Sequence, residues 1–238
     1  MKKIVIIKTG DSIPSLVKRR DDFENWIINK MECNNVSVQI ISVHKDEIPP
    51  DFDLIGGIVI TGSHEPVTDR ADWSERTAAW LVGAIKQNIP ILGICFGHQI
   101  LAHALGGRVG STLAGPEFGT VSASLTPAAK DDMIFRDLPP IIQVQASHYQ
   151  SALDLPSGST ILAFSKKEPH AAVRFRPNVW GVQFHPEFDA DITSTYIREF
   201  YAALEESTDD LSALLDNCKD TRTGSLILRR FKKVIDQI

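Results

Sequence analysis

Cys95 lies in Pro90-Ile-Leu-Gly-Ile-Cys-Phe-Gly-His-Gln-Ile-Leu-Ala-His-Ala-Leu-Gly-Gly107, where an apolar strand pattern runs through Gly93-Ile-Cys-Phe-Gly97 into a helical one. That helix carries Ile100, Leu101, Ala104 and Leu105 on one side. The order strand, nucleophile, helix is that of the G-x-S-x-G elbow with cysteine in place of serine. Such a turn forces its central residue into strained backbone angles and crowds the chain two residues to either side, a need that glycine meets. At the first turn of a helix a thiol lies beside free amides and the positive end of the dipole, which lowers its pKa from about 8.5. The implied chemistry is attack by a thiolate. Two blander readings stand beside it. Cys95 could be one more small buried apolar residue, or a metal ligand with His98 and His103, although no second ligand pair of that kind occurs.

A thiol nucleophile needs a base, and the chain has His44, His64, His98, His103, His148, His170 and His185. His98 and His103 sit on the nucleophile's own helix and point sideways or away from its start. His185 follows the alternating strand Val179–Phe184 and precedes Pro186-Glu187, so an extended His-Pro-Glu puts imidazole and carboxylate on one side, two residues apart. Glu187 can then hold the imidazole tautomer and stabilise its charged form. Taken without Cys95, the same two residues would read as a surface pair at a strand end. A tetrahedral intermediate on Cys95 also needs two amide donors. Phe96 supplies one, and the turn at Gly62-Ser63, after the strand pattern Ile58–Thr61, could supply the other.

The elements that must position these groups alternate along the first half. Lys3–Lys8, Val36–Ser42, Ile55–Thr61 and Ile89–Ile94 read as strands, apolar enough to be covered on both faces, as in a parallel sheet. One helix is expected over Ile13–Met31, with Ser12 as cap and Pro14 in its first turn. Another is expected from about Trp73 to Asn88, with Asp72 and Glu75 as a capping box. After Gly107 come short strands at Phe118–Leu125, Ile141–Ala146, Thr160–Ser165, Ala171–Phe175 and Val179–Phe184, then a helix near Ile192–Leu204. Beyond Glu206 two amphipathic helices are expected. The first carries Leu211, Leu214, Leu215 and Cys218, the second Ile227, Phe231, Val234, Ile235 and Ile238. The basic run Arg229-Arg230-Phe-Lys232-Lys233 reads as the solvated face of the last helix.

With 238 residues the chain has room for one large α/β domain and an appendage. Fifteen glycines and thirteen prolines are ordinary usage, which removes collagen-like and disordered readings. The net charge of −5 offers no broad attraction to a nucleic acid. Cys33, Cys95 and Cys218 are too few for a disulfide framework, which fits a cytoplasmic setting. The opening apolar run of four residues is too short for a signal peptide, and none approaches the ~20 needed to span a bilayer. A soluble protein with no membrane partner is expected.

Together, Ile-Thr-Gly-Ser (60–63), Gly-Ile-Cys-Phe-Gly-His-Gln (93–99), Glu-Phe-Gly (117–119), Ser-His (147–148) and Gly-Val-Gln-Phe-His-Pro-Glu-Phe (181–188) resemble the class I, triad-type glutamine amidotransferases. Within them, the stand-alone members similar to the glutaminase half of GMP synthase are the nearest in kind. The resemblance covers about residues 4–190. It implies an α/β fold of three layers, a flavodoxin-like open, mostly parallel sheet with helices on both faces, plus a small β-rich part and a C-terminal helical appendage. Residues 1–205 would form the amidotransferase domain and 206–238 an extension packed on it. By the same resemblance Cys95 is the nucleophile, His185 the acid and base, and Glu187 its orienting partner. Ser63 and Phe96 would give the oxyanion amides, while Gly62, Gln99 and the backbone of Ser147, Tyr149 and Gln150 would hold the glutamyl group. No cofactor or metal is called for. Two positions depart from the family: its usual Gly-Gly-Pro loop is Gly62-Ser63-His64 here, and Tyr149 stands where glycine is common.

The resemblance implies release of ammonia and glutamate from glutamine through a γ-glutamyl thioester. The chain has no phosphate-binding Gly-x-x-x-x-Gly-Lys-[Ser/Thr] loop, so a synthetase subunit receiving the ammonia would be separate or absent. Plant γ-glutamyl peptidases, which the chain also resembles, would use the same triad on γ-glutamyl peptides. A silent regulatory or partner module that retains the fold is the third reading, and it would leave Cys95 no more reactive than Cys33 and Cys218.

Overall fold

The computed structural model describes residues 2–33, 36–204 and 210–237, with 201–204 described as backbone only. The boundary expected at 205/206 and the side chain of Ile238 lie outside the described residues.

Four strands and the helices between them build the first half: β1 (Lys3–Lys8), α1 (Pro14–Arg20), α2 (Phe23–Met31), β2 (Val38–Ser42), β3 (Ile55–Ile60), α3 (Asp72–Lys86), β4 (Ile91–Ile94) and α4 (Phe96–Ala104). The second half holds β5 (Arg108–Ser111), β6 (Glu117–Leu125), β7 (Ile141–His148), β8 (Gln150–Asp154), β9 (Thr160–Phe164), β10 (Ala172–Arg176) and β11 (Val179–Val182). It ends in α5 (Ala190–Leu204), α6 (Leu211–Asp216) and α7 (Thr223–Asp236). Nine strands form one mixed sheet in the order β2-β1-β3-β4-β11-β10-β9-β6-β7, while β5 and β8 make a separate antiparallel pair. The block β2-β1-β3-β4-β11 is parallel throughout, and the remaining pairings are antiparallel.

The continuous apolar run of β1 is explained by its two covered faces. Ile4 and Ile6 join a core with α2 and α7, whereas Val5 and Ile7 join another with α3 and α4. Successive side chains of a strand point to opposite faces, so both sets must be apolar. On α7, Ile227, Leu228, Phe231 and Val234 are buried, each worth about 1.5–3 kcal/mol relative to exposure. Its first turn touches the segment that follows β11: a Cβ at Gly224 would stand 2.2 Å from the Pro186 carbonyl oxygen, so only glycine fits there. Three cations of the basic run on α7 have partners, while Lys233 is exposed. Arg229 meets Glu32 at 3.1 Å, Lys232 meets Asp236 at 2.7 Å, and Arg230 donates to the carbonyls of Ile134 and Arg136.

Two expected helix starts are corrected. The helix expected over Ile13–Met31 is broken at Asp21, whose φ is +62°, and Asp22 starts the second piece by accepting from the Phe23 amide. The same carboxylate takes the Ser12 amide at 2.9 Å and the Lys8 ammonium at 2.7 Å, so a long-range ion pair sets the break. Ser12 is no cap, since its hydroxyl lies 2.9 Å from that of Tyr196. No capping box opens α3 either: Ala71 holds the cap position, Asp72 is already helical, and Glu75 turns to His103 at 3.0 Å. The short strands β5 and β8 have no counterpart among the expected elements.

Candidate active site

Three neighbouring parallel strands, β3, β4 and β11, deliver their C-terminal ends to one place, as open α/β sheets do. β4 runs into Cys95, which has φ +50° and ψ −101° and opens α4. Its amide donates to Val182 and that of Gly97 to Thr61, so the elbow is tied to both neighbouring strands. The flanking glycines are dictated by crowding. A Cβ at Gly93 would stand 2.3 Å from the Gly97 carbonyl oxygen, and one at Gly97 would stand 2.6 Å from that of Ile60. The thiol is almost fully buried, with Sγ 3.9 Å from the Ser147 carbonyl oxygen.

β11 leads to His185, whose amide donates to the Gln145 carbonyl at 2.7 Å and whose Nδ1 lies 2.7 Å from Glu187 Oε1. Glu187 is fully buried, and with Nδ1 committed to it, Nε2 is the nitrogen left for the sulfur. Burial alone would push the imidazole down. The charges of Glu187 and Cys95, and hydrogen bonds to both, outweigh it and push His185 up to about 10. Phe188 stacks on the same ring, with centroids 4.0 Å apart.

β3 brings Gly62 over this pair. A Cβ there would stand 2.9 Å from His185 Cε1 and 3.7 Å from Cys95 Cβ, so any side chain at 62 would displace the imidazole. Ser63 and Phe96 line the same cavity as Cys95 and His185. Phe96 is the first residue of α4, where an amide has no partner within the helix.

The residues expected to hold a glutamyl group are also placed here. Gln99, Ser147, Tyr149 and Gln150 line the cavity. Gln99 Nε2 donates to the Gln150 carbonyl at 2.8 Å and to Gln183 Oε1 at 3.2 Å, while the Tyr149 carbonyl accepts from Thr112. The Tyr149 ring is half exposed and packs edge-on against Phe118. His148 also lines the cavity, and its Nε2 lies 3.4 Å from Glu117 Oε2.

Several walls were missed by the sequence reading: Phe23 from α2, and Tyr196 and Phe200 from α5. Nothing in their spacing sets them apart from core residues. His64 is the exception, being already visible as a departure in the loop. Its Nε2 lies 3.2 Å from the Tyr196 hydroxyl, and burial, then the charge of His185, pushes its imidazole down. Of the other histidines, His148 lines the cavity, whereas His44, His98, His103 and His170 do not. His98 is fully buried against Phe175, and burial drives it down to about 3. Among the described residues no group of three metal-binding side chains occurs, and no helix is long and apolar enough to cross a membrane.

Residues 16–204 match the family described as glutamine amidotransferase class-I. The GMP synthase [glutamine-hydrolyzing] of Shewanella sediminis is 32% identical over 185 residues, covering 75% of this chain and 33% of its own. The chain thus spans about a third of the length of the GMP synthases it matches. Gamma-glutamyl peptidase 4 of Arabidopsis thaliana is 29% identical over 195 residues, covering 80% of this chain and 77% of its own. In fold, the crystal structure of a glutamine amidotransferase from Thermotoga maritima matches with a TM-score of 0.79 at 21% identity, across 100% of both chains.

Proposed function

Since the chain belongs to the class I glutamine amidotransferase family, we propose that it hydrolyses the γ-carboxamide of glutamine to glutamate and ammonia, with Cys95, His185 and Glu187 as its triad. The observation that carries the reading is a buried imidazole, paired to a buried carboxylate at 2.7 Å, sharing one cavity with a cysteine on a glycine-flanked elbow. The Cys95 thiolate adds to the carboxamide carbon, and the amides of Ser63 and Phe96 receive the oxygen's charge. His185 gives its Nε2 proton to the departing nitrogen, the C–N bond breaks, and a γ-glutamyl thioester and ammonia form. Water then loses a proton to His185, attacks the thioester carbon and frees glutamate and the thiolate. Gly62, Gln99 and the backbone of Ser147, Tyr149 and Gln150 hold the amino acid end. The GMP synthase relatives make a synthetase the candidate acceptor for the ammonia, and three free cysteines fit a cytoplasmic setting.

A second reading, a γ-glutamyl peptidase, is favoured by one feature. On the imidazole side the cavity is walled by Phe23, His64, Tyr196 and Phe200, side chains that suit a leaving amine larger than ammonia. Assays of the purified protein with L-glutamine and with γ-glutamyl dipeptides separate the readings. The glutaminase reading expects kcat/KM for L-glutamine to exceed that for the dipeptides by at least about tenfold, a difference of about 1.4 kcal/mol. The reverse ranking would select the peptidase, and inertness toward both would leave a silent module.

A further inference from the structure

We infer that Thr9, just beyond β1, is a positioning residue that aims the Ser63 amide at the developing oxyanion. The inference rests on the hydrolase reading above. Thr9 and Thr61 are both fully buried, side by side where β1 and β3 end. Thr9 Oγ1 lies 2.9 Å from the Gly62 carbonyl oxygen, 3.0 Å from that of Thr61 and 3.0 Å from Thr61 Oγ1. The Thr9 amide donates to Thr61 Oγ1 at 3.0 Å, and that hydroxyl lies 3.0 Å from the Gly62 carbonyl oxygen. The Thr61 carbonyl already takes the Gly97 amide at 3.2 Å. Both hydroxyls thus lie within hydrogen-bond distance of the Gly62 carbonyl, with the Thr9 hydroxyl reaching it from the end of β1.

A trans peptide carries its carbonyl and its N–H on opposite edges. Fixing the Gly62 carbonyl on Thr9 turns the Ser63 N–H away from β1, toward the cavity that Ser63 shares with Cys95. Among the described residues this amide has no acceptor. The pin is needed because glycine at 62, demanded by the contact with His185, leaves the backbone free to swing. A swung peptide would present a carbonyl oxygen, not a donor, to the negative charge. Gly10 completes the fit, since a Cβ there would stand 2.8 Å from Ser63 Oγ and 3.3 Å from Ser63 Cα.

The test compares Thr9→Val, which keeps the volume and removes the hydroxyl, with Thr9→Ser, which keeps the hydroxyl. L-Glutamine and γ-glutamyl-p-nitroanilide are the substrates, and iodoacetamide reports on Cys95. Thr9→Val should lower kcat by about 10- to 100-fold with KM within about twofold and alkylation of Cys95 at the wild-type rate. Thr9→Ser should restore kcat to within about threefold of wild type. Thr9→Ala carries the same expectation as valine if valine prevents folding. A valine variant that keeps its kcat overturns the inference alone. So does one in which kcat and alkylation fall together, since that marks a collapsed site. A wild-type protein inert on both substrates overturns the hydrolase reading first, and this inference with it.

Discussion

Replacing Cys95 by serine is expected to lower kcat for L-glutamine by about 10⁴-fold or more while leaving KM close to wild type. Serine fits the same space on the elbow, so the loss reads the sulfur itself and not the fold. An alcohol is hardly ionised where a thiol beside an imidazolium can be, and the remaining oxyanion and binding groups sustain only residual turnover. The other two cysteines serve as internal controls. Cys33 is buried in the core and Cys218 half-buried beside α6, and burial pushes both thiols up. Cys33→Ser and Cys218→Ser should keep kcat within about twofold, and iodoacetamide should label Cys95 before either. Steady-state ammonia release and peptide mapping of the alkylated protein check this. Wild-type turnover in Cys95→Ser, or equal labelling of all three thiols, would contradict it.

Glu187→Gln is expected to lower kcat by about 10³-fold, roughly 4 kcal/mol, and to shift the pH dependence. Glutamine keeps the shape but carries no charge to stabilise the imidazolium, which Glu187 and Cys95 hold up to about 10 against burial. Because the folded His185 value lies above its ordinary 6.5, the charged pair persists through neutral pH and is lost as pH rises through about 10. Removing the Glu187 charge lets burial prevail, so the alkaline limb of kcat/KM moves to lower pH. The same linkage applies to stability: the contribution of the pairing is complete below pH 6.5 and disappears toward pH 10. Rate profiles and melting curves across that window should therefore differ between wild type and Glu187→Gln. An alkaline limb that stays in place would remove Glu187 from the proposed role.

The parts of the molecule that were legible in the sequence are those whose residue types are forced by local geometry. Gly93 and Gly97 could be read around Cys95 because a Cβ at either would collide with backbone. His185 and Glu187 could be read because a short strand followed by His-Pro-Glu leaves few places for the two side chains. The doubly apolar strands declared a sheet covered on both faces for a similarly local reason. What stayed hidden depends on contacts far apart along the chain. The break at Asp21 is set by an ion pair reaching back to Lys8. Phe23 and Tyr196 wall the cavity only because α2 and α5 close over it, and their spacing matches any packed helix. The stripe on α7 showed that a face must be buried, but periodicity carries no information about its partner, here the face of β1 already shared with α2. Thr9 is not legible in the sequence, because a threonine at a strand end is marked only by the loop that folds beside it.

Covalent catalysis by Cys95 is tested by acid quenching of the wild-type protein during turnover of L-glutamine, followed by mass spectrometry of the intact chain and its peptides. A single γ-glutamyl adduct is expected on the peptide carrying Cys95, removed by hydroxylamine and absent from Cys95→Ser. Turnover with no adduct at any time of quenching, or an adduct on a peptide without Cys95, would contradict it.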